Sequence, residues 1–140
     1  MLGVDDLAAL IDGSPITPEI ADWLREGLRS AIETGQPLER ALDLPSIGGR
    51  SWRDALRHRR AREILRQAAE LVLARDQWSA AMSLRGEIVS FRRYRWPKLS
   101  ALNEPPETLN DLERCLFRLF RVKNGRVPES LTQIHALLDD

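Results

Sequence analysis

Apolar positions along this chain recur at intervals of three and four, the spacing that places side chains on one side of an α-helix. The pattern is clearest in ITPEIADWLREGLRSAIETG, where Ile20, Trp23, Leu24, Gly27, Leu28, Ala31 and Ile32 share a face. Thr17 is placed to cap this helix. Pro18 suits the first helical position, where the N–H it lacks would be unpaired anyway, and Gly35 suits the end. Upstream, Val4, Leu7, Ala8 and Ile11 predict a short helix over 4–12 that GSP at 13–15 breaks. Downstream, Pro37 opens a short helix, PLERALDL, with Leu38, Ala41 and Leu42 inward, and PSIGG at 45–49 reads as a turn.

The next segment, GGRSWRDALRHRRAREILRQ, is rich in arginine, and Ser51 with Asp54 forms an N-cap pair for it. Its apolar side changes phase. Trp52, Ala55 and Leu56 share one face, whereas Ala61, Ile64, Leu65, Ala68, Leu71 and Val72 share a nearly opposite one. The change falls across RHRR at 57–60, so either one long helix bridges two cores or two helices meet at a hinge. A further helix from about Asp76 to Tyr94 carries Trp78, Met82, Leu84, Ile88, Val89 and Phe91. Pro97 ends it, and the prolines of WPKLSALNEPPE predict a loop. Leu109, Leu112, Cys115, Leu116, Leu119 and Phe120 then form one stripe, KNGR makes a turn, and Pro128 opens a last helix with Leu131, Ile134, Leu137 and Leu138.

No segment alternates as a strand does. The expected fold is all-α, a compact domain of about six helices spanning 1–140. Residues 1–75 form a helix-turn-helix-like half, and 76–140 form a helix plus a C-terminal helical hairpin. The helix-turn-helix likeness rests on the order of a long helix, a short helix, a turn and a basic helix. Against it, the turn from Leu44 to Arg50 exceeds the roughly three to four residues of the compact motif.

Composition sharpens this only in places. A chain of 140 residues, 43% hydrophobic and 30% charged, has enough apolar surface for a core. No apolar run approaches the roughly 18–20 residues of a membrane span. The start, MLGVDDLAALIDG, lacks the basic region of a signal peptide. The lone Cys115 allows no internal disulfide and reads as a small core residue in a reducing compartment, so a cytoplasmic location is expected. Net charge is zero but unevenly spread. Residues 1–47 hold three bases and nine acids, 48–100 hold thirteen and five, and 101–140 hold five and seven. The segments therefore carry −6, +8 and −2.

The basic middle is where chemistry is expected. Arg59–Glu63 and Arg66–Glu70 are i, i+4 pairs, so the later half of the arginine-rich helix is largely compensated. Cations without such pairs sit at its start: Arg50, Arg53, Arg57, His58 and Arg60, where DNA-contacting helices carry their base- and phosphate-reaching side chains. FRRYRWPK at 91–98 interleaves aromatics with Arg92, Arg93, Arg95 and Lys98, a mixture that grips phosphate backbones and stacks bases. The same cations also complement a helix C-terminal dipole. Trp23, Trp52 and Trp78 fall on apolar faces and read as core, leaving Trp96 as the partly exposed tryptophan suited to an interface.

His58 and His135 lack neighbours at metal-ligand spacing, so no metal is expected. There is no Gly-rich phosphate loop, nucleophile elbow or His–Cys pairing. Asp5, Asp6, Glu19, Asp22 and Glu26 are accounted for by the helix dipole. The expectation is a non-enzymatic protein without cofactor that binds nucleic acid, DNA foremost, in a regulatory or packaging role. The alternative is an assembly module, a homo-oligomer or protein partner, in which the acidic N-terminal region of one copy pairs with the basic middle of another.

Overall fold

The computed structural model describes residues 2–44 and 51–139, and every regular element among them is a helix. In chain order these are α1 (Val4–Ile11), α2 (Pro18–Thr34), α3 (Leu38–Ala41), α4 (Trp52–Leu71), α5 (Gln77–Tyr94), α6 (Trp96–Leu99), α7 (Asp111–Val122) and α8 (Leu131–Asp139). The all-α expectation is met, with eight helices among the described residues rather than about six. One addition is α6, inside the segment expected to be loop. Pro97 sits at its second position, where a missing N–H costs nothing, so the proline permits this turn while still stopping α5. The turn expected at 45–49 lies outside the described residues.

The helix starts are set by short polar side chains. The Thr17 hydroxyl accepts from the Ile20 N–H at 3.2 Å, Ser51 from Asp54 at 3.2 Å, and Asp76 from Ser79 at 2.7 Å. Asn110 and Glu113 form a reciprocal capping box at α7, with bonds of 2.8 and 3.1 Å. The last helix begins at Leu131 rather than at Pro128, because Ser130 takes the capping position and bonds the Gln133 and Ile134 amides.

The chain divides into two compact units, Met1–Leu56 and Arg57–Asp140. The division falls inside α4, at the start of the 57–60 stretch where the apolar face changes phase. Helix α4 nevertheless runs unbroken from Trp52 to Leu71, so a single helix is the observed form.

In the first unit, Val4, Ala8, Ile20 and Leu42 are buried. Helix α3 packs on α2 at Gly27, where a Cβ would come within 2.1 Å of the Leu42 Cδ2 and would have to displace that buried side chain. The Trp23 indole N–H donates to the Leu42 carbonyl at 3.3 Å and fixes the same packing. The α2 stripe expected to be inward is covered only over its first half: Leu28 is 50% and Ile32 83% exposed. A four-residue partner helix reaches along about one turn, which leaves the later turns of α2 open.

The second unit holds the main core, with Ala61, Ile64, Leu65 and Ala68 from α4, Leu84, Ile88 and Phe91 from α5, Leu116, Phe117 and Phe120 from α7, and Ile134 and Leu138 from α8. Phe91 and Trp96 both pack on Phe120, with ring centroids 5.1 and 5.5 Å away. The expectation that Trp78 is core is corrected: it is 48% exposed, its ring edge-on to His135 at 5.2 Å. At 100° per residue, Ala80, Ala81, Leu84, Ile88 and Phe91 define the inward face of α5, and Trp78 falls on its flank beside Met82 and Val89. Cys115 is buried as expected, and burial pushes its thiol pKa up.

Candidate nucleic-acid interface

The cations expected to act together have unequal surroundings. Arg50 lies outside the described residues. Arg53, in the first unit, is exposed on the opening turn of α4, its guanidinium 5.3 Å from the Trp52 ring centroid. Arg57 follows one turn later, also exposed, and Arg60 is half-buried. Arg60, expected to have no acid at hand, pairs with Glu63 at 3.4 Å one turn along α4. Arg57 and Arg60, at i and i+3 of α4 in the second unit, share one side of the helix, whereas Arg53 belongs to the first unit.

The 92–95 cluster does not form one set. Arg92 turns into the second unit, where it pairs with the Glu129 carboxylate, donates to the Val127 carbonyl and to the Gly125 carbonyl (3.4 Å), and lies 5.3 Å from the Phe120 ring centroid. Arg93 is exposed and lies over the neighbouring Tyr94 ring at 5.4 Å. Arg95 pairs with Glu113 of α7 at 3.3 Å. Arg92 and Arg93 point about 100° apart on α5, and Arg95, at the C-cap, reaches Glu113 rather than the Glu129 that holds Arg92. Trp96, expected at an interface, is half-buried with its ring against Phe117 and Phe120.

Arg92 is one of several arginines that donate to carbonyls in the connecting segments. Arg85 reaches the Glu129 carbonyl at 3.0 Å. Arg114 reaches those of Glu107 and Leu109, both at 3.2 Å. Arg121 reaches the Ser100 carbonyl at 2.8 Å and the Asn103 Oδ1 at 3.0 Å. Loop carbonyls lack helical partners, and a guanidinium with five donors on a long stem can serve two at once.

One basic feature was missed from sequence. Arg60 and Ile64 of α4, Asn103–Pro105, and Phe117, Arg118, Arg121 and Val122 of α7 line an open cleft of about 520 Å³ within the second unit. A signal for it was present: Arg114, Arg118 and Arg121 recur one turn apart on the polar side of α7. The loop that completes the cleft has no such periodic signature.

Charge divides along the same boundary as structure. Residues 1–56 hold five bases against ten acids, net −5, and residues 57–140 hold sixteen against eleven, net +5. No group of three or more His, Cys, Asp or Glu among the described residues is arranged to hold a metal. Nor is any described helix long and apolar enough to cross a membrane. Fold and charge together define an all-α protein with an acidic and a basic unit sharing one helix. No protein-family model matches the chain, and no curated protein or solved structure matches it.

Proposed function

We propose that this chain is a non-enzymatic protein that binds nucleic acid, DNA foremost, by laying the first turns of α4 along the phosphate backbone. One observation carries the reading: in the second unit α4 sets Arg57 and Arg60 one turn apart on one side, and its opening turn, in the first unit, carries Arg53 exposed. The +5 charge of the second unit adds a longer-range attraction for a polyanion. A helix-turn-helix entry into the groove is not needed, since α3 is only four residues long. The role is backbone grip, with Arg93 as an accessory phosphate contact. Arg92 is left out because the Val127 and Gly125 carbonyls and Glu129 hold it half-buried in the second unit, whereas a phosphate would compete with one acid each at Arg60 (Glu63) and Arg95 (Glu113).

The test is duplex-DNA binding titrated with salt. Affinity should fall steeply, and replacing Arg53, Arg57 and Arg60 by Gln together should flatten the log–log slope by about 2.7, roughly 0.9 per phosphate contact. An unchanged slope in the triple variant removes the proposal.

A second reading, self-assembly, is favoured by the open later turns of α2, where Leu28 and Ile32 are exposed, and by the opposite charges of the two units. Its signature is salt-sensitive light scattering without affinity for DNA.

A further inference from the structure

The cleft lined by Arg60, Arg118 and Arg121 is not used by the α4 backbone grip, apart from Arg60 at its edge. On the polar side of α7, three arginines follow one another at single-turn spacing, and two of them also tie down the segment between α6 and α7. Arg114 ties down the Glu107 and Leu109 carbonyls. Arg121 ties down Ser100 and Asn103 at the other end of the same loop. Between them, Arg118 is exposed and has no hydrogen bond or ion pair with any described residue. It lines the hollow that the tethered loop helps to enclose.

The other linings define what would fit. Arg60 and Arg121 add two cations and Glu104 one anion, so the hollow carries a net +2 with Arg118 included. That matches a phosphate monoester dianion, and guanidinium forks suit its oxygens. Asn103 has its Oδ1 occupied by Arg121, which leaves its amide N–H donors to a ligand. Ile64, Pro105, Phe117 and Val122 add apolar lining. A volume of about 520 Å³ far exceeds a bare phosphate and falls in the usual range of small-molecule sites.

We propose that this cleft binds a small organic phosphate, a monoester on a sugar- or nucleoside-sized body, with Arg118 as its principal phosphate ligand and Arg60 and Arg121 flanking. Arg118 is not among Arg53, Arg57 and Arg60, so the two proposals can fail separately.

The experiment is calorimetric titration of the full chain at fixed ionic strength with adenosine 5′-monophosphate, ribose 5-phosphate, inorganic phosphate and adenosine. At least one monoester should bind more tightly than both inorganic phosphate and adenosine. Arg118→Gln should weaken that ester by roughly tenfold or more, the least expected for losing a hydrogen bond to a charged group. Arg126→Gln, an exposed cation outside the cleft, should leave it unchanged. Duplex-DNA affinity in Arg118→Gln should stay near that of the parent chain. Absence of ester binding overturns the proposal. So does inorganic phosphate binding as tightly as the esters, or equal losses in the Arg118 and Arg126 variants. Because Arg118 is exposed and makes no hydrogen bond or ion pair with a described residue, its replacement should leave the fold intact, which resistance of Cys115 to thiol reagents verifies.

Discussion

Arg92→Ala is the perturbation that most directly tests whether the basic residues of the second unit hold loops in place. The side chain is 31% exposed and joins α5 to the segment between α7 and α8 through Glu129, Val127 and Gly125. The charged bond to the Val127 carbonyl contributes about 1.5–3 kcal/mol. The ion pair to Glu129, itself 45% exposed, is screened and adds about 0–1. The contact with the Phe120 ring adds about 0.5–1. Water reaches the freed carbonyls of a partly open segment, so the lower part of these ranges applies. The expected net loss is about 2 kcal/mol, or a folded-to-unfolded ratio lowered about 30-fold.

Cys115 supplies the assay. It is the chain's only cysteine and is buried in the core of the second unit, so its labelling by a thiol reagent across a urea gradient reports that unit's opening alone. Arg93→Ala is the control: Arg93 is exposed and lies over its neighbour Tyr94, and less than about 0.5 kcal/mol should be lost. Arg92→Lys should fall between, since an ammonium keeps the charge but not the planar fork. Equal labelling midpoints for Arg92→Ala and Arg93→Ala would refute the reasoning.

Two further outcomes follow from local geometry and titration. Leu73, after the end of α4, has φ of +52° and is 89% exposed, so its side chain incurs left-handed strain with almost no burial in return. Leu73→Asn should raise the urea midpoint, by about 0.5–1 kcal/mol, and a lowered midpoint would mean that the leucine makes a contact worth more than the strain. For Cys115 the sign runs against high pH. Folding raises the thiol pKa by burial, so the native state keeps the proton while unfolded chains lose it above about 9.0. Stability should be unaffected by this group below that pH and decline above it. Melting temperatures of Cys115→Ala measured across the same range should lack that part of the decline, and parallel profiles would contradict the assignment.

Much of the fold was legible because helices announce themselves locally. Thr17 and Ser51 cap where the sequence placed them, and Asp76 and Asn110, not read as caps there, do the same for α5 and α7. The phase change at 57–60 was legible for the same reason, and it meets the boundary between two compact units. Exposure was less legible, because periodicity identifies a face without saying whether anything covers it. Leu28 and Ile32 continue a stripe that α3, at one turn, is too short to cover. Trp78 lies on an apolar flank beside the inward face of α5 rather than on it.

The arginines were the hardest residues to read, and the reason is physical. In sequence an arginine is a charge whose partners are sought at i±3 and i±4, so Arg92, Arg93 and Arg95 look like one basic patch. In the folded chain a guanidinium is also a fork of donors, and an all-helical fold joined by irregular segments holds many carbonyls without helical partners. Arg85, Arg92, Arg114 and Arg121 serve such carbonyls across sequence separations that no local pattern encodes: 44, 35, 7 and 21 residues for their principal contacts. A basic composition therefore overstates the charge offered to a partner. Arg118, flanked on its own helix by two arginines that hold loop carbonyls, makes no hydrogen bond or ion pair with a described residue and so offers its charge most openly to a partner.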